Sequence, residues 1–227
     1  MTPDPPDELG TCNGLAYALY TPPGEARGGI VVVHGAGSAK ESHYAFARHA
    51  RRVGFAVVAF DLRGHGESSG ELDGGVTEDL LAIAGRLPAG PLALRGSSLG
   101  GYLALTAADA VGASCVVAIC PASAEGLRRG VRTGRFDARI DAAGFDAWLA
   151  AHDERAAVAS LSAALLLMHA EGDEVVPVEQ TQALFELATT PTRRLITVPG
   201  GHHRSVQHDE EMQAVSVRFI RRALEET

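Results

Sequence analysis

The chain has 227 residues, 46% hydrophobic and 21% charged, the balance of an ordinary globular protein with a sizeable core. Twenty Lys and Arg against 28 Asp and Glu give a net charge of −8, which excludes the basic face that nucleic acid requires. Three cysteines, Cys12, Cys115 and Cys120, without a Cys-x-x-Cys pair, exclude a disulfide framework and a zinc ribbon and fit a reducing, cytoplasmic setting.

The first residues, Met1 to Leu9, are rich in Pro and Asp, without the basic and apolar regions of a signal peptide. No apolar run approaches the ~20 residues of a membrane span. Leu15 to Tyr20 alternates and predicts an antiparallel edge strand. Ile30 to Val33 is a β-branched apolar run between glycines, which predicts a strand buried on both faces. Ser42 to Val53 reads as a helix. Phe55 to Phe60 is the second apolar run, and it ends at Asp61 and the turn Arg63-Gly64-His65-Gly66. Val76 to Leu87 reads as a helix, Pro91 to Leu94 as the third strand, Leu99 to Ala110 as a helix, and Cys115 to Cys120 as the fourth strand.

Pro121 to Ser160 breaks the alternation. Forty residues exceed a simple crossover, so an insertion is expected there. Leu165 to His169 is then the fifth strand, Val178 to Ala188 a helix, Arg194 to Val198 the sixth strand, and Glu210 to Leu224 a final amphipathic helix. Alternating strands and helices predict an α/β protein, a mostly parallel open sheet with helices on both faces. In such a sheet the functional residues sit just after strands. Neither an internal repeat nor a Ser/Gly linker divides the chain, so one domain spanning 1–227 is expected, with 121–160 as a small lid.

Gly96-Ser97-Ser98-Leu99-Gly100-Gly101 follows a strand and opens a helix. Its Gly-x-Ser-x-Gly spacing allows a sharp strand-to-helix turn that lifts the Ser98 hydroxyl outward. A serine at a helix N-terminus also has backbone N–H groups beside it that can hold developing negative charge. Such a nucleophile needs a base, and the base needs an orienting acid, here later in the chain. After the fifth strand stand Glu171, Asp173 and Glu174. After the sixth stand His202 and His203. Metal-ligand spacing such as His-Glu-x-x-His is missing, so no metal and no cofactor is expected.

With these three sites in order, the sequence resembles the α/β-hydrolase family from about Leu15 to Leu224. The resemblance extends to His34-Gly35-Ala36-Gly37, similar to the family's oxyanion loop, and to Asp61-Leu62-Arg63-Gly64-His65-Gly66-Glu67-Ser68, similar to its Asp-x-Arg-Gly-x-Gly-x-Ser turn. Its compact size looks most like small carboxylesterases, dienelactone-hydrolase-like and monoacylglycerol-lipase-like proteins. The resemblance implies Ser98 as nucleophile, Asp173 as acid and His203 as base, with the N–H groups of Ala36 and Leu99 as oxyanion hole. Asp173 matches by its place four residues before Pro177, and His203 by the Gly-x-x-His spacing from Gly200. The implied activity is ester hydrolysis through an acyl-enzyme on a small-molecule substrate. Thioester or peptide cleavage by the same residues, and a non-catalytic binding module, are the alternatives. Monomer and homodimer stay equally open.

Within the insertion, Phe145, Trp148, Leu149 and His152 fall on one helical face, which predicts either a lid over the substrate or packing on the body. Arg128, Arg129, Arg132, Arg135 and Arg139 form a basic cluster in an acidic chain. As a helix, 128, 132, 135 and 139 would share a face, either a solvated face paired with carboxylates or a rim for anionic substrates.

Overall fold

The computed structural model describes residues 4–225. The expectations for Met1 to Pro3 and for the last two positions lie outside the described residues. Eight strands form one sheet in the order β1-β2-β4-β3-β5-β6-β7-β8. These are β1 (Glu8–Cys12), β2 (Leu15–Tyr20), β3 (Gly29–Val33), β4 (Ala56–Phe60), β5 (Leu92–Ser97), β6 (Cys115–Ile119), β7 (Ala164–Ala170) and β8 (Arg193–Val198). β1–β2 and β2–β4 pair antiparallel, and the other pairs are parallel.

The strand predicted as an edge is not one. All six residues of β2 are buried, because β1 covers its outer side. The hairpin turns at Asn13 and Gly14, with φ of 51° and 83°, the backbone that a tight Asn-Gly turn demands. β1 carries Glu8, Gly10 and Thr11, so it lacks the apolar alternation that reveals a strand.

Three consecutive buried strands, β3, β5 and β6, explain the continuous apolar runs, since parallel strands are covered on both faces. One face packs against α1 (Tyr44–Arg52) and α9 (Glu210–Glu225). The other packs against α2 (Val76–Ala84), α3 (Leu99–Ala107), α6 (Glu154–Ser160) and α7 (Val178–Leu187). Each face has its own apolar core. From β3 the chain crosses to β4 on one side, then to β5 on the other. The crevice at that reversal, beyond the C-terminal ends of β3 and β5, is where open α/β sheets hold ligands.

Residues 121–160 fold as three short helices, α4 (Ala124–Arg132), α5 (Ala142–Ala151) and α6. Each begins at a side-chain cap. Ser123 accepts from the Gly126 N–H, Asp141 from those of Ala143 and Gly144, and Asp153 from that of Ala156, which satisfies otherwise orphaned donors. The apolar face of α5 turns into the body. Phe145, Trp148 and Leu149 are buried. Trp148 stacks on His152 with centroids 4.2 Å apart and meets Tyr102 of α3 edge-on at 5.9 Å. The Tyr102 hydroxyl donates to the His152 carbonyl. α5 therefore clamps the helix that begins at Ser98. Trp148→Ala is expected to cost about 3–5 kcal/mol of stability, measured as a lower urea midpoint. A loss below 1 kcal/mol would contradict the clamp.

The remaining helix, α8 (Ser205–His208), follows β8 by a short loop. It brings Gln207 and His208 over the C-terminal end of β5, where the Gln207 carbonyl accepts from Arg95.

Candidate active site

β5 delivers Ser98 into a strained turn, with φ 52° and ψ −116°, a region that non-glycine residues rarely occupy. Backbone bonds over-determine it. The Ser98 N–H donates to the Ile119 carbonyl at 2.9 Å, and the Ser98 carbonyl accepts from the N–H groups of Tyr102 and Ala122. The flanking glycines have no room for a side chain. A Cβ at Gly96 would stand 1.9 Å from the Gly100 carbonyl oxygen, and one at Gly100 would stand 2.1 Å from that of Val33. Leu99 is the first residue of α3, and first-turn N–H groups lack intrahelical acceptors. Ala36, from the loop after β3, lines the same small cleft as Ser98 and His203.

His203 follows β8, and Asp173 follows β7. The His203 Nδ1 lies 2.7 Å from Asp173 Oδ2. Of the three acidic residues in that loop, Asp173 alone bonds to the ring. Glu174 instead accepts from the His203 backbone N–H, and Glu171 is exposed. His202 is exposed and bonds within its own loop. The Asp173 carboxylate is wholly buried, and His203 is 13% exposed. Asp173 Oδ1 accepts from the N–H groups of Val175 and Val176 at 2.8 and 2.9 Å. Burial opposes its charge, but hydrogen bonds from His169, His203, Val176 and Val175 outweigh burial and hold its pKa well below the ordinary carboxylate range.

His169, the last residue of the predicted fifth strand, belongs to this network. Its Nε2 lies 2.9 Å from the Val176 carbonyl and 3.3 Å from Asp173 Oδ2. Both partners are acceptors, so Nε2 carries a hydrogen. In the neutral ring Nδ1 then accepts from the Thr181 hydroxyl, 2.7 Å away. His169 thus braces the Asp173 carboxylate from behind.

Cys120 also stands closer to the chemistry than a small buried hydrophobe need stand. It leaves β6 with φ 44°. Its ligand atom and those of Asp173 and His203 lie within 4.8 Å of one another. Burial, with the Asp173 charge beside it, pushes the thiol up to about 12. The protonated thiol can donate a hydrogen bond to Asp173.

The two glycine-loop histidines brace the backbone. His34 Nε2 accepts from the Leu62 N–H at 2.9 Å, while Nδ1 contacts the Gly35 carbonyl at 2.8 Å. Burial, above all, lowers its pKa to about 4. In the Asp61–Ser68 turn, Asp61 accepts from the Lys40 N–H, the Lys40 ammonium and the Glu67 N–H. Arg63 pairs with Asp73 and Asp79.

A cavity of about 280 Å³ opens beside Ser98. Leu127, Phe136, Val175 and Val176 supply its apolar wall, and Glu125, Arg129, Arg135 and Gln180 are among its polar groups, with Glu125 paired to Arg129. Phe145, Trp148 and Leu149 do not line this cavity; Phe145 and Leu149 line a separate hollow of about 410 Å³, together with Arg128, Arg132 and Asp146. The basic cluster is also divided. α4 ends at Arg132 and Gly134 reverses the chain at φ 63°, so 135 and 139 do not continue the helical face. Arg128 pairs with Asp146 and Arg129 with Glu125. Arg139 donates to the Ser68 and Gly70 carbonyls.

Among the described residues, no helix is long and apolar enough to cross a membrane. In sequence, residues 29–137 match the family described as the alpha/beta hydrolase fold. An uncharacterised Escherichia coli O157:H7 protein, YfhR, is 27% identical over 214 residues, covering 86% of this chain and 70% of its own length. In structure, a Paleococcus ferrophilus monoacylglycerol lipase superimposes with a TM-score of 0.72 at 19% identity, covering 92% of this chain and 99% of its own. A Xanthomonas campestris α/β serine hydrolase, described as lacking a lid, does so with a TM-score of 0.69 at 21% identity over the full length of both chains. With its eight-stranded, mostly parallel sheet and its strand–serine–helix turn, this chain has the α/β-hydrolase fold.

Proposed function

We propose that the protein is a serine hydrolase that cleaves small carboxylic esters, with residues 1–227 acting as one domain and 121–160 as a small cap. The observation that carries this reading is the Asp173–His203 hydrogen bond beside a strained Ser98 in a common cleft. Ser98 Oγ attacks the ester carbonyl as His203 Nε2 takes its proton. Asp173 holds Nδ1–H, fixes the tautomer and stabilises the imidazolium. The N–H groups of Ala36 and Leu99 hold the oxyanion. His203 protonates the leaving alcohol and then activates the water that frees the acid from Ser98.

The cavity supports a small acyl part. At about 280 Å³ it falls at the low end of small-molecule sites, which run from about 300 to 1,000 Å³. Kinetics on p-nitrophenyl esters of graded acyl length, with one matched thioester, test this. The expected result is ester turnover highest for short acyl chains and falling as the chain outgrows the cavity. No turnover of any ester above the buffer rate would overturn it.

Arg135 is exposed at the cavity mouth. A guanidinium there attracts esters that carry a second carboxylate. Arg135→Ala is expected to lower kcat/KM for a carboxylate-bearing ester about 3- to 10-fold relative to its neutral match. Equal losses for both substrates would show that Arg135 makes no charge selection.

A further inference from the structure

Phe136 stands in the wall of the Ser98 cavity and also in the wall of a second hollow. Among the described residues it is the one that the two linings share. The second hollow holds about 240 Å³. Val131, Gly134, Phe136, Ala138, Ile140 and Ala142 line it, without a charged or polar side chain. Val131 and Ala142 also line the hollow of about 410 Å³ beside Phe145 and Leu149. Apolar space therefore lies beyond Phe136, outside the cavity that holds the nucleophile.

Local structure fixes the ring at this place. α4 ends in a Schellman turn. The Gly134 N–H donates to the Val131 carbonyl at 3.1 Å, and the Arg135 N–H to the Gly130 carbonyl at 3.0 Å. That pattern sets the backbone leading into Phe136. The ring then rests on Gly130, which is buried and lines the Ser98 cavity. A Cβ on Gly130 would stand 2.6 Å from Phe136 Cε1, closer than packed carbon atoms approach. Glycine inside a helix weakens it relative to alanine, and here the missing side chain is the seat of the ring. The loop after the ring is tied down as well. The Arg139 N–H donates to the Gly64 carbonyl at 3.0 Å, and the Leu72 N–H to the Arg139 carbonyl at 2.8 Å.

We propose that Phe136 is the partition that sets the longest acyl chain the protein accepts, and that the hollow behind it is a closed-off acyl subsite. The proposal rests on the ester-hydrolase reading of Ser98. An acyl chain held on Ser98 Oγ and laid along the apolar wall of Leu127 and Phe136 ends at the ring. Further methylenes stay in water, where they add nothing to binding. Without the ring the same methylenes enter a hollow lined only by apolar groups. Each methylene buried there is worth about 4-fold in affinity, converted from about 0.8 kcal/mol.

The ratio of kcat/KM for p-nitrophenyl decanoate over the butyrate tests it. Phe136→Ala is expected to raise that ratio at least about 10-fold above wild type, the worth of roughly two newly buried methylenes. Phe136→Leu keeps an apolar side chain at the loop and should raise it less, in the same direction. Adding Ala138→Trp to Phe136→Ala refills the hollow and should return the ratio to about the wild-type value, which a loosened loop would not do. Calorimetric titration with octan-1-ol reads the same space without turnover, and Phe136→Ala should bind it at least about 10-fold more tightly than wild type. Absence of ester turnover together with tighter octanol binding would overturn the hydrolase reading and leave the partition standing. Ester turnover with an unchanged ratio in both single variants, a ratio still raised after Ala138→Trp, or octanol bound equally by wild type and Phe136→Ala would each overturn the partition.

Discussion

Ser98→Ala is expected to lower kcat for a short p-nitrophenyl ester by at least about 10⁴-fold and to leave the urea midpoint essentially unchanged. The size of the loss follows from the role. Without the hydroxyl no acyl-enzyme forms, and only the oxyanion hole and substrate binding remain to assist water. The unchanged stability follows from the turn. Both residues carry a Cβ, so the φ of 52° strains them alike. The position is held by bonds of the Ser98 backbone to Ile119, Tyr102 and Ala122, which the substitution keeps. A drop under about 10-fold in steady-state assays would show that Ser98 is not the nucleophile.

Asp173→Asn is expected to cost about 10⁴-fold in kcat, and also some stability. The amide oxygen can still accept from the Val175 and Val176 N–H groups. The amide nitrogen then replaces Oδ2 beside His203 Nδ1 and donates to it. That places the imidazole hydrogen on Nε2, where it cannot accept the Ser98 proton. The same nitrogen faces the N–H of His169 Nε2, which the wild-type Asp173 carboxylate and the Val176 carbonyl share. Two donors at 3.3 Å repel, and this destabilises the fold. The pH dependence has a definite sign. Asp173 is held below its ordinary 3.8 in the folded chain. Its contribution to stability is therefore present above that value and is lost as pH falls through the folded value. The stability gap between wild type and Asp173→Asn should narrow on acidification from pH 6 to pH 3. A gap that widens on acidification would contradict the assigned pairing.

Much of this arrangement was readable from the chain alone, for physical reasons. Strands buried on both faces write continuous apolar runs, so β3, β4, β6 and β7 stood out. The turn around Ser98 demands glycine at two fixed places, and that demand is itself a motif. β1 was not legible by periodicity, because Glu8, Leu9 and Thr11 are all exposed at the sheet's edge, so polar and apolar residues do not alternate between its faces. The Asn13-Gly14 pair before Leu15 was the signal that could have found it. Phe145, Trp148 and Leu149 were correctly seen as one apolar face, but periodicity does not say what a face covers. Here it covers α3. The cavity wall comes instead from Leu127 and Phe136 on either side of a Gly134 reversal, and from Val175 and Val176 beside the acid. Those residues are brought together by loops, and no spacing rule records that. His169 and Cys120 were hidden for the same reason. Cys120 meets Asp173 from the end of the neighbouring strand, and His169 meets it, four residues on, because the chain folds back after β7.

Intact-mass spectrometry after exposure to a fluorophosphonate tests the central claim most directly. Wild type should gain one phosphonyl group, mapped by peptide fragmentation to Ser98, and Ser98→Ala should gain none. A wild-type protein that stays unlabelled, or a label found on another residue, would contradict the assignment of Ser98 as an activated nucleophile.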